Sequence, residues 1–67
     1  MQTTLIKDGA KVLGQLGTDS QGNQILLDSG GHKLGTYSES SGNTLDAAGR
    51  PIAYKGQGNQ LLRLLPK

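Results

Sequence analysis

Gly22-Asn23-Gln24-Ile25-Leu26-Leu27, Gly42-Asn43-Thr44-Leu45 and Gly58-Asn59-Gln60-Leu61-Leu62 state one phrase three times, a Gly-Asn turn signal followed at once by an apolar run. Behind the first two comes a second shared element, Asp28-Ser29-Gly30-Gly31 then Leu34-Gly35-Thr36-Tyr37, and Asp46-Ala47-Ala48-Gly49 then Ile52-Ala53-Tyr54. Short apolar runs bounded by Gly, Asn, Asp and Ser read as strands, and two of them around a tight turn read as a hairpin. A recurring unit of this kind reports architecture before it reports function. The spacing predicts one all-β domain over 1–67, with strands near 3–7, 11–16, 24–28, 33–37, 44–46, 51–55 and 60–65.

Tight turns fall around Asp8-Gly9, Ser29-Gly30 and Ala47-Ala48-Gly49, where Gly supplies the positive φ that twisted strands demand. The links from Gly17 to Gly22, Ser38 to Gly42 and Gly56 to Gly58 are longer, more polar loops at the opposite end. The segment Leu61-Leu62-Arg63-Leu64-Leu65 carries apolar side chains on both faces if extended. One reading sets it between the core and the N-terminal strand, closing a ring or small barrel. Another makes Leu61, Leu62, Leu64 and Leu65 a subunit interface. Only 60–65 offers a turn of helix instead, which Pro66 would end.

The pattern of Asp, two residues, Gly, two residues, an aliphatic, Gly or Ala and then Tyr resembles the small hairpin-repeat proteins called four-fold β-flowers, over roughly Leu5 to Leu65. The resemblance implies repeated hairpins closing into a flower-like sheet. It implies no activity, since no common function accompanies that fold.

Size and composition narrow the rest. A 67-residue chain buries only about 60% of the surface its unfolded form exposes, so such domains lean on disulfides, a metal or self-association. There is no Cys, and His32 is the lone His. That excludes disulfides and argues against a closed zinc site, which leaves a homo-oligomer as the expected remedy. Asp19-Ser20-Gln21-Gly22-Asn23 has a faint calcium-loop look but lacks the distal Glu; neither metal nor cofactor is expected. The absence of Cys fits the cytoplasm. No apolar run is long enough to span a membrane and no secretory layout opens the chain, which is expected to start at Met1 or Gln2.

Superposing the repeats at Ala10, Gly31 and Gly49 places Lys11, His32 and Arg50 at one equivalent position just after the turn. Arranged around an axis, they would form a ring able to hold an anion through charge-assisted hydrogen bonds, with Tyr37 or Tyr54 as a surface for a nucleotide base. The bland alternative makes the cations solvated turn residues beside Asp8, Asp28 and Asp46, and the tyrosines core-edge packing. No nucleophile, base and orienter converge, so no enzyme is expected. The expected function is a binding module that binds or blocks another protein, as an accessory protein of a phage or mobile element would. The alternatives are a sequestering module for an anionic small molecule or nucleotide, and a weak nucleic-acid binder using the scattered charge of +2.

Overall fold

The computed structural model describes residues 2–65; Met1, Pro66 and Lys67, and with them the expectations for the chain start and for Pro66, lie outside it. Six strands follow one another: β1 (Gln2–Asp8), β2 (Lys11–Thr18), β3 (Gln24–Asp28), β4 (Lys33–Tyr37), β5 (Thr44–Asp46) and β6 (Pro51–Ala53). They form a single antiparallel sheet in the order β1-β2-β3-β4-β5-β6, so every strand pairs only with its neighbours in sequence. Connections this short make antiparallel meanders the natural outcome. The sheet is open. The expected closure into a barrel or flower is corrected here: β1 and β6 are the two edges and do not pair.

The repeat has a structural cause. In each odd-even hairpin the register slips once, at the same place: Ile6↔Gly14 gives way to Lys7↔Val12, Leu26↔Gly35 to Leu27↔Lys33, and Thr44↔Ala53 to Leu45↔Pro51. Each even strand therefore carries one extra residue, and it is aliphatic every time: Leu13, Leu34, Ile52. A bulge of this type sharpens the local twist. The residue after it is small, Gly14, Gly35 or Ala53, and all three are buried. Three copies of one bulged hairpin make up the sheet.

Pairing across strands sorts the side chains onto two faces, since partners in an antiparallel sheet share a side and neighbours in a strand alternate. One face holds Ile6, Gly14, Leu16, Leu26, Gly35, Thr44 and Ala53, linked through Ile6↔Gly14, Leu16↔Leu26, Leu26↔Gly35 and Thr44↔Ala53. The other holds Leu5, Ile25, Leu27 and Leu45, linked by way of Gln15 and Thr36.

The expected strand over 60–65 is also corrected. After β6 the chain forms a 3₁₀ turn, Leu61–Leu64, that folds back on the first face. An ideal Cβ built on Gly35 would run into the Leu64 side chain and the Leu45 carbonyl, and one on Gly14 would come within 3.2 Å of Leu65. The glycines make the trough in which these leucines sit. The Gln60 N–H donates to Thr44 Oγ1 at 3.2 Å, which gives the fully buried Thr44 hydroxyl a partner. Leu26, Ala53 and Leu61 form the apolar centre, each no more than 1% exposed.

Candidate functional site

In a meander the odd-even turns all lie at one end, so the β1–β2, β3–β4 and β5–β6 turns bring Lys11, His32 and Arg50 to the same edge of the sheet. All three are exposed. Their strands are two apart, which spaces them by about 10 Å. They form a row along the end of the sheet rather than a ring around an axis.

The turns beneath the row are built by carboxylates. Asp28 Oδ1 accepts from the N–H groups of Gly30 at 2.9 Å and His32 at 2.8 Å. Asp46 Oδ1 does the same for Ala48 and Arg50, both at 2.9 Å. In each turn the Asp N–H donates to the carbonyl four residues on, and the glycine N–H returns to the Asp carbonyl: Asp28 with His32 and Gly31, Asp46 with Arg50 and Gly49. Gly31 and Gly49 both take φ of 87°, a left-handed conformation that costs other L-residues about 1–2 kcal/mol. The β1–β2 turn is shorter and has only Gly9 at positive φ, 63°, the signature of a type II′ hairpin.

His32 Nδ1 lies 3.3 Å from Asp28 Oδ2, with the imidazole 83% exposed. The Asp28 carboxyl is held below the ordinary aspartate range, chiefly by the His32 N–H. Burial opposes this, while the Gly30 N–H and the His32 ring add to it. Both Asp28 oxygens are thus engaged by its own turn.

The far end of the sheet repeats this chemistry where a longer loop was expected. Asp19 Oδ1 accepts from Gln21 and Asn23 N–H, both at 2.9 Å, and the backbone bonds Asp19 N–H to Asn23 O and Gly22 N–H to Asp19 O match those at Asp28. Burial pushes the Asp19 carboxyl up, but the Gln21 and Asn23 N–H groups, the Asn23 side chain and the Gly22 N–H together outweigh it and hold the group low. Within the stretch that resembles a calcium loop, Asp19 Oδ1 thus serves two backbone N–H groups of its own turn. The signal was present in the spacing: Asp19 to Gly22, Asp28 to Gly31 and Asp46 to Gly49 are each three residues.

The Gly-Asn phrases act at this end too. Gly22, Gly42 and Gly58 have φ of 86°, 75° and 76°, and the asparagines that follow staple one loop to the next. Asn23 Oδ1 accepts from Glu39 N–H at 2.9 Å, and Asn43 Oδ1 from Lys55 N–H at 3.3 Å. The Asn59 amide donates to Gln24 Oε1.

Tyr37 and Tyr54 close β4 and follow β6, so they stand at this end, opposite the cations. Tyr37 is half-buried and lines a cleft of about 280 Å³ with Asp19, Asn23, Gln24 and Ile25 among others. Tyr54 is 58% exposed and its N–H donates to Gln57 Oε1 at 2.7 Å. The fold therefore does not bring the tyrosines to Lys11, His32 and Arg50. Of the terminal leucines, Leu61 is buried, Leu64 and Leu65 are half-buried over Gly35 and Gly14, and Leu62 faces outward at 60% exposure. Among the described residues no group of three or more His, Cys, Asp or Glu is gathered as a metal would need, and no helix is long and apolar enough to cross a membrane.

The 3₁₀ turn covers one face of the sheet. On the other, Leu5, Ile25, Leu27 and Leu45 run across from β1 to β5. Among the described residues the only element outside the sheet packs on the opposite side. No family model, curated protein or solved structure matches the chain.

Proposed function

We propose that this chain is a non-catalytic binding module that associates with copies of itself and offers its aliphatic sheet face to a protein partner. The observation that carries this reading is the composition of that face. Leu5, Ile25, Leu27 and Leu45 lie on the side away from the 3₁₀ turn, Leu5 half exposed, and an apolar patch rimmed by polar loops is the usual mark of a docking site. The loops around it, fixed by aspartate and asparagine side chains, make a preorganised rim, and preorganisation lowers the ordering cost of binding.

Gln15 and Thr36 are polar positions on the same face, paired with Leu27 and Ile25. Long charged side chains there obstruct docking without removing an apolar contact. Affinity capture with the wild-type chain from its source cells should yield a stoichiometric protein that Gln15→Arg or Thr36→Lys no longer retains and that Lys11→Ala with Arg50→Ala still does. Capture indifferent to both face substitutions would refute the reading.

A second reading rests on the row of Lys11, His32 and Arg50 at one sheet end, which suits an extended anion better than a compact one. It expects thermal stability to rise on adding a phosphate compound, and the rise to vanish in Lys11→Ala with Arg50→Ala. Nucleic acid would add a steep loss of affinity with salt.

A further inference from the structure

The two edges of the sheet are not alike. β6 is three residues long and opens with Pro51, and shortness and proline are the means by which native sheets blunt an edge. β1 has seven residues, Gln2-Thr3-Thr4-Leu5-Ile6-Lys7-Asp8, of which all but Ile6 are exposed. Its register with β2 runs unbroken from Gln2 to Ile6, and Thr3-Thr4-Leu5-Ile6 is uncharged and rich in β-branched residues. One side of this strand is paired with β2; along the other, the backbone donors and acceptors meet no strand among the described residues. Leu5, in its middle, is 50% exposed on the aliphatic face.

We infer that β1 pairs with β1 of a second copy, antiparallel and centred on Leu5, joining two sheets into one about a twofold axis. This rests on the self-association reading above and names its interface. The centre follows from the strand itself: setting Leu5 opposite Leu5 pairs all seven residues, as Gln2 with Asp8, Thr3 with Lys7 and Thr4 with Ile6. A shift of one residue would turn the second sheet over and set the face that carries its 3₁₀ turn beside the first sheet's aliphatic face. Charge selects the direction. In the antiparallel register Lys7 meets Thr3 and Asp8 meets Gln2, whereas a parallel pair would set Lys7 against Lys7 and Asp8 against Asp8, a destabilising arrangement. The antiparallel pair is also the closed, self-complementary one, so assembly stops at two. It carries the aliphatic face across the axis and covers Leu5.

Because the chain has no Cys, single cysteines report the register directly. In the full chain under mild oxidation, Leu5→Cys should crosslink to itself rapidly. Thr3→Cys and Lys7→Cys should each fail alone, since like positions then stand about 14 Å apart, beyond the roughly 7 Å a disulfide spans, yet a mixture of the two should crosslink. Native mass spectrometry should show a wild-type dimer that is lost in Leu5→Lys, with circular dichroism confirming a folded sheet. If Leu5→Lys does not fold, the crosslinking pattern decides alone. A wild-type dimer in which Leu5→Cys stays uncrosslinked while Leu62→Cys crosslinks overturns the edge pairing but leaves self-association standing. A wild-type chain that remains monomeric at millimolar concentration overturns both, and would leave β1 for a strand of another protein.

Discussion

The Asp19, Asp28 and Asp46 turns are each set by one aspartate oxygen and one glycine, and the two act differently. The carboxylate replaces water as the partner of two backbone N–H groups and so fixes the turn, while glycine supplies a φ that other residues reach only under strain. Gly31→Ala and Gly49→Ala meet no steric obstruction, as nothing lies within 4 Å of a Cβ at either site, so they should cost only the left-handed penalty of about 1–2 kcal/mol, measured by urea unfolding. Asp19 and Asp28 make stability depend on acid. Both carboxyls are lowered in the folded chain. Their contribution is therefore complete above the unfolded value of about 3.9 and is lost as pH falls through the lower folded values. The thermal midpoint should drop as pH is taken below about 4, and Asp19→Ala with Asp28→Ala should be less stable at pH 7 and flatter in that range. Residue chemistry was legible here in part. The Asp28 and Asp46 turns stand out because glycine follows at the same spacing and an aliphatic run follows that. Asp19 obeys the same spacing, but the oxygen-rich residues around it also resemble a cation loop, which hid the turn.

Among the elements, strands were readable and the C-terminal segment was not. Alternation and turn chemistry place β3, β4 and β5 at the bounds expected, 24–28, 33–37 and 44–46. The bulges were not visible, because an extra aliphatic residue in a strand looks like ordinary apolar content; their trace is the aliphatic-then-small pair repeated at Leu13-Gly14, Leu34-Gly35 and Ile52-Ala53. Leu61 to Leu65 opens with the same Gly-Asn phrase as the strands, yet it lacks an Asp-x-x-Gly turn and a return strand to pair with. Its leucines at 61, 64 and 65 also match the three-and-four spacing of a helical face, and the chain satisfies Gln60 N–H on Thr44 instead. Packing of this turn depends on glycine troughs. Gly35→Ala should displace it and cost about 1–3 kcal/mol, as overpacking does. Leu61→Ala should cost about 2–5 kcal/mol through the cavity it leaves, whereas Leu62→Ala, at an exposed position, should fall within about 0.5 kcal/mol of wild type. Denaturant midpoints of the three variants check the order.

At the scale of the whole molecule, three bulged hairpins give a sheet with one face covered by a single turn, one aliphatic face left without a second layer, and one long edge. A domain this small has little stability to lose, and the proposed partner and second copy would add to it by covering that face and edge. Closure was expected on the premise that the last segment is a strand; once that segment turns back over Gly35 and Gly14, the outer edge of β1 has no strand among the described residues to pair with. The row of Lys11, His32 and Arg50 follows from the same open topology, as does the separation of Tyr37 and Tyr54 from it. The most direct test of this architecture is a set of cross-strand Hα–Hα nuclear Overhauser contacts in isotope-labelled protein. The open meander requires contacts among β2 to β6 in the register Leu16–Leu26, Gly35–Asp46 and Thr44–Tyr37, none between residues 3–7 and 51–53, and none typical of a strand over 61–65. Contacts joining β1 to β6 within one chain would mean a closed barrel and contradict the account.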